Sequence, residues 1–335
     1  VSSAASDVYK RQLLETRFPY LSLAQRNDVL TTTAIADVGQ FLENGSAFGA
    51  YSRLNLFKAS DGYGDFLGNV AVTMDASLGG FNAADTWANN IGERGGSWGL
   101  TKNGSGVLTL AGTNTFTGPI TINAGGLNVT GSVLASSGIV ADAGVVAGTG
   151  DLPATTINAN AIHAPGNSIG TQTVHGAYAL NGGTLAIELQ GPQSDRIQVT
   201  GPVNSFTGQA RLSSYAGGGP WPGFHYAILS APNSAGFAFP NSLTIDRSQV
   251  TSALLSLGTQ FVQEADGNPL TFDVQWQPLN ATGATTAALQ ALGITKSREQ
   301  ITAGMLDRSI QQLLAQSNND SCLLYTSDAA DDTPC

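Results

Sequence analysis

Between Trp98 and Val129 the chain alternates apolar residues with Thr or Asn in short runs, and glycine interrupts the runs at close, regular intervals. Leu108 and Leu110, Ile120 and Ile122, and Leu127 and Val129 fall at period two, the spacing of strands with one buried face. The glycines come too often for the hairpins of an ordinary sandwich. A single rung of this size cannot bury its own apolar face, so neighbouring rungs must stack to build a continuous core. Ile139 and the pair Val145/Val146 extend the same columns beyond the run. The pattern predicts a mainly β protein, a right-handed parallel β-helix with short helical segments at both ends.

Composition supports stacked short strands. The chain holds 41 Gly, only 11% charged residues and a formal net charge of −10. Glycine supplies positive φ at tight turns and Asn tolerates it. An acidic balance without a Lys/Arg cluster speaks against a nucleic-acid partner. No run approaches the ~18 apolar residues of a membrane helix.

The two ends read as something other than protein design. Ser2 to Gln12 can be encoded by a DNA whose reverse complement encodes Cys322 to Asp331. An inverted copy of one short DNA at each end looks like a translated sequencing adapter, so 1–12 and 322–335 are expected to be adapter-derived scars. Both cysteines, Cys322 and Cys335, lie there, which leaves the interior without a disulfide framework. On this reading the chain is an internal piece of a longer protein.

From Gly99 to Leu127 the residues meet G-L-T-K-x-G-x-G-x-L-x-L-x-G-x-N-x-[YF]-x-G-x-[ST]-x-[IV]-x-x-G-x-L at nearly every position, with Ile120 standing where the pattern has Ser or Thr, and this resembles the passenger-associated repeat of autotransporters. A second stretch, Ala164-Pro-Gly-Asn-Ser-Ile-Gly-Thr171, followed by Tyr178 and by Ser194-Asp-Arg-Ile-Gln-Val-Thr200, resembles the last stalk coils of the same family. Phe224 to Ser230 and Phe272 to Trp276 resemble strands of its autochaperone-like region. Phe48 to Phe57 partly resembles the element that closes catalytic domains carried by autotransporters. Acid phosphatases are the nearest such class, and subtilisin-like proteases end in a similar segment.

These resemblances divide the chain into 13–65, the end of a passenger functional domain; 66–200, the β-helical stalk; 201–278, the autochaperone-like region; and 279–321, a helical linker. In the first, Ser22 is placed to cap a helix carrying Leu23, Val29 and Leu30, and a short helix is expected within 52–60. In the last, 285–292 and 297–316 are helix-like, with Ser297 and Gln300 as a capping box. The resemblance implies as partners the protein's own C-terminal β-barrel translocator and the outer-membrane assembly machinery. It also leaves room for a cell-surface ligand, and it implies display outside a Gram-negative cell. The whole protein is then a structural stalk, an enzyme whose catalytic core lies elsewhere, or an adhesin.

No residue set points to chemistry, so no catalytic, cofactor-binding or metal-binding residue is assigned and no cofactor is expected. His163, His175 and His225 each sit in an alternating strand pattern without a metal-like partner nearby. No G-x-S-x-G elbow occurs. Asp142, Asp151, Asp195 and Asp246 lack the nonapeptide of calcium-binding rolls and read as solvated turn residues. Asn114, Asn123 and Asn128 are expected to stack at turns and satisfy backbone groups. Phe116, Tyr178, Phe206, Tyr215, Trp221 and Phe224 are expected to fill or cap the core, and Gly217 to Gly223 to form a loop.

Overall fold

The computed structural model describes residues 12–36, 52–215, 225–231, 243–249, 255–263 and 270–278. The helical expectations at 285–292 and 297–316, together with Trp221, Phe224 and the 217–223 loop, lie outside the described residues.

Parallel strands stack in columns, coil upon coil. In the first column Val70–Thr73, Leu100–Asn103 and Ile120–Ile122 pair in parallel. The column continues through the leading halves of Ile139–Gly148, Thr155–Pro165, Tyr178–Gln190 and Val203–Ser214. The second column runs through Ala84–Trp87, Val107–Leu110 and Gly126–Val129. It passes through the trailing halves of the same four long strands to Leu243–Gln249. A third sheet stacks Asp151–Leu152, Thr171–Val174, Arg196–Val199 and His225–Ala231 in parallel, then turns antiparallel through Leu270–Pro278 and Leu255–Gln263. The parallel columns make a parallel β-helix, as the alternation predicted.

Register explains the alternation. Leu100, Ile120 and Ile139 are aligned coil on coil and buried, as are Leu108, Leu127 and Val146. Residues between them turn outward, so a one-residue slip would expose each column. Of the Val145/Val146 pair, Val146 points in. One apolar cluster runs from Leu14 to Ala231 without a break at residue 65.

Helical structure begins the described chain. Residues 12–17 are helical, and a second helix spans Leu23–Thr33. Ser22 caps it, with its hydroxyl accepting from the Gln25 N–H and the Gln25 side chain accepting from the Ser22 N–H. Its buried face carries Val29, Thr32 and Thr33, while Leu23 stays exposed. Within 52–60 only Leu56–Ser60 is helical, capped by Asn55; Ser52–Arg53 is a short strand.

Candidate functional site

The feature with the clearest residue-by-residue rationale is the coil-to-coil contact at 99–129. Gly99 faces the Pro119 carbonyl so closely that a Cβ would lie 2.3 Å from it. A Cβ on Gly112 would lie 2.1 Å from the Asn89 carbonyl. Both values are far inside van der Waals contact, so any side chain there must push two coils apart. Gly104 and Gly125 stand at successive corners between the first two columns with φ of +72° and +67°. That left-handed conformation disfavours residues with a Cβ.

The polar members of the run act inward. Asn114 is 3% exposed; its side-chain oxygen accepts from the Ile91 N–H at 3.1 Å, and its amide donates to the Gly112 and Ser132 carbonyls at 3.0 Å each. It thereby ties three coils. Lys102 is fully buried, and its ammonium donates to the carbonyls of Asn103 at 2.8 Å, Gly104 at 3.1 Å and Ala124 at 3.4 Å. Burial pulls its pKa down to about 8. Carbonyls exposed by the glycine corner are what the lysine satisfies.

The expected asparagine stack needs correction. Asn123 bonds Asn103 of the preceding coil at 2.8 Å at the corner, but Asn114 is buried elsewhere. Asn128 lies within Gly126–Val129, beside Thr109. The three fall at separate positions of one coil because they lie nine and five residues apart, well short of the Leu100-to-Ile120 repeat, and each meets its own neighbours.

A second polar centre lies inside the later coils. The Gln172 amide donates to the Ala147 carbonyl at 3.0 Å, so its oxygen, 2.9 Å from His163 Nε2, accepts from that nitrogen. Nδ1 then receives the Tyr178 hydroxyl at 3.0 Å. The chain of bonds fixes the histidine tautomer and crosses three coils. His163 is fully buried and desolvation lowers its pKa to about 4, so it is neutral at pH 7. No sequence pattern marked it, because its partners come from positions nine and fifteen residues away.

The Pro-Gly-Asn-Ser loop borders a cleft of about 430 Å³ whose lining includes Ser168, Glu188, Asp195 and Arg211. Ser168 has φ of +114° and its hydroxyl donates to Tyr215. Asp195 overturns the solvated-turn reading: it is 2% exposed and accepts the Gly170 and Glu188 N–H groups at 2.9 and 2.8 Å. Desolvation raises its pKa to about 7. Its role is to fasten the loop to the neighbouring strand.

The remaining residues scatter. Asp142 accepts from Asn158 at 2.7 Å and Asp151 meets His175 at 2.9 Å, both at the surface. Asp246 lies in the strand Leu243–Gln249 and accepts from the Ser248 N–H at 2.9 Å. The His225 side chain lies outside the described residues. Phe116, Tyr178 and Phe206 are buried and Tyr215 is half-buried. Among the described residues, no group of three His, Cys, Asp or Glu converges as a metal site would require. Neither His163 nor His175 bonds a serine within that set; their partners are Tyr178, Gln172 and Asp151.

Part of the glycine-rich run is similar to known proteins. Residues 100–129 match the passenger-associated-transport-repeat. Over 219 residues, 55% of this chain, the sequence is 29% identical to an extracellular serine protease of Serratia marcescens. The matched part is 20% of that protein, so the chain spans about a fifth of the relative's length.

Proposed function

We propose, for a chain that is autotransporter passenger sequence, that residues 66–200 form a structural stalk supporting secretion and surface display, and that 201–278 serve as its autochaperone-like end. The observation that carries the reading is the repeat at 100–129, whose signature residues face the adjoining coils. Such a chain is secreted or held at the cell surface. A C-terminal translocator and outer-membrane machinery are its general partners, as the family implies.

Each coil that docks buries apolar residues and closes backbone bonds to the coil before it, so folding proceeds downhill by repetition. Outside the cell no ATP is at hand, and this folding free energy can draw the chain outward. Deleting 200–278 from the whole secreted protein is expected to reduce surface display severely, read by antibody labelling of intact cells. Display at the parental level would sink the stalk-and-autochaperone reading.

The Serratia relative supports a serine protease, ahead of an acid phosphatase, as the activity of the whole protein. On that reading 13–65 is the end of the functional domain. The chain itself is expected to turn over neither a chromogenic peptide nor a phosphate ester, and turnover of either would place a catalytic site within it.

A further inference from the structure

The β-helix presents a strand edge at its amino-terminal end. Among the described residues, Val70–Thr73 and Ala84–Trp87 each pair with one neighbouring strand. The N–H groups of Val70 and Met74 go to the Gly99 and Asn103 carbonyls, and the Ala111 N–H takes the Trp87 carbonyl. By the alternation of a strand, the peptide groups of Ala71 and Thr86 therefore face outward. Unmet groups of that kind are a template for another strand.

Side chains of the helical segment meet them. Gln25, while completing the helix cap, donates to the Ala71 carbonyl at 2.7 Å. Thr32 Oγ1 accepts from the Gly64 N–H at 3.2 Å. Arg17 Nη2 donates to the Thr86 carbonyl at 3.2 Å, and Asp85 Oδ1 accepts from the Thr86 N–H at 2.7 Å. Arg17 Nη1 in turn holds both Asp85 oxygens at 2.6 Å. The ion pair thus answers both polar groups of Thr86, as a further strand would. Leu14, Phe18, Leu21 and Val29 bury against the same end, and Arg17 also lies 4.3 Å from the Phe81 ring centroid.

We propose that residues 12–33 are a guard seated on this edge, and that the edge beneath fits a second copy of the chain, docking through its strand Leu243–Gln249. Among the described residues that strand is the last of the same column and pairs only with Val203–Ser214. Setting the far end of one copy on the near end of another continues the column in the same direction. The contact is head-to-tail and does not close, so it propagates into linear assemblies. The proposal does not depend on the passenger reading, since it follows from the edge alone.

The test uses the full chain carrying Arg17→Ala and Gln25→Ala, with and without Thr86→Pro. Proline at 86 removes an outward N–H and spares the ladder to Val107–Leu110. Faster tryptic cleavage after Arg26 reports a lifted guard, and sedimentation velocity reports assembly. The parent is expected to be monomeric, the double variant to form a concentration-dependent oligomer series, and Thr86→Pro to abolish that series. A lifted guard with a monomeric chain overturns the proposal, and so do oligomers that persist with the proline. Should the guard stay seated, deletion of 12–33 replaces the double variant, and a monomer there overturns the proposal equally.

Discussion

The coils at 99–131 and those at 155–214 meet the same stacking requirement with different proportions of backbone and side-chain contact. In the first, strands are three or four residues long and glycines let backbones touch at every corner. In the second, strands run eleven to thirteen residues through the corner, glycine contacts persist, as where a Cβ on Gly208 would lie 2.2 Å from the Gly183 carbonyl, and a chain of buried polar side chains joins coil to coil as well. Backbone contact tolerates no side chain, whereas side-chain contact tolerates some change of backbone but no unpaired partner. The two regions should therefore fail under different perturbations.

The largest effect is expected at a repeat corner. A Cβ on Gly125 would lie 2.3 Å from the carbonyls of both Gly104 and Gly106, at a φ of +67°. Gly125→Ala should cost about 4 kcal/mol, combining overpacking with left-handed strain. Gly182, one residue before Gly183 at a corner of the later coils, has φ of +79°, but its Cβ would meet only Ala159, at 3.5 Å or beyond. Gly182→Ala should cost about 1 kcal/mol, the conformational part alone. Urea unfolding of both variants reads the difference, and equal losses would make left-handed strain, rather than the carbonyl contact, the source of the cost.

Acid is expected to act on the later coils. His163 has a folded pKa of about 4 against an unfolded value near 6.5, so the unfolded chain binds the proton more readily. Its stabilising contribution is complete above pH 6.5, declines as pH falls and is gone below about 4, a loss of about 3 kcal/mol. Asp195, with its pKa raised to about 7, works in the opposite sense across that range. Subtracting the unfolding curves of His163→Phe from those of the parent at each pH isolates the histidine. A flat difference between pH 4 and 7 would remove it as the source of acid sensitivity.

The regions also differ in how much the sequence disclosed. Glycines that permit contact and leucines that fill columns are local, repeated and conformationally distinctive, so the fold and the coils at 99–129 were legible from spacing together with the repeat it resembles. Ser22 and Gln25 announced the helix for the same reason. His163, Gln172 and Tyr178 meet only because one coil lies on another, and the intervening loop length hides the register. Asp195 carried no local mark of burial, because its two backbone donors, in a loop and in a strand, lie 25 and seven residues away. The edge role of Arg17, Gln25 and Thr32 was equally silent, since it depends on which strand lacks a neighbour.

Within the repeat, buried and exposed asparagines give the finest division of the comparison. Asn114→Ala strands the Ile91 N–H in the interior and withdraws a donor from two carbonyls, for about 2 kcal/mol. Asn123 bonds only the Asn103 side chain, at the exposed corner where water can replace it. Asn123→Ala should therefore cost about 0.5 kcal/mol. The gap between them tests whether the repeat's asparagines act as ladders or as plugs for buried backbone groups. A loss at Asn123 as large as that at Asn114 would make the corner ladder, rather than the glycine contact and its buried plugs, the device that holds successive coils in register.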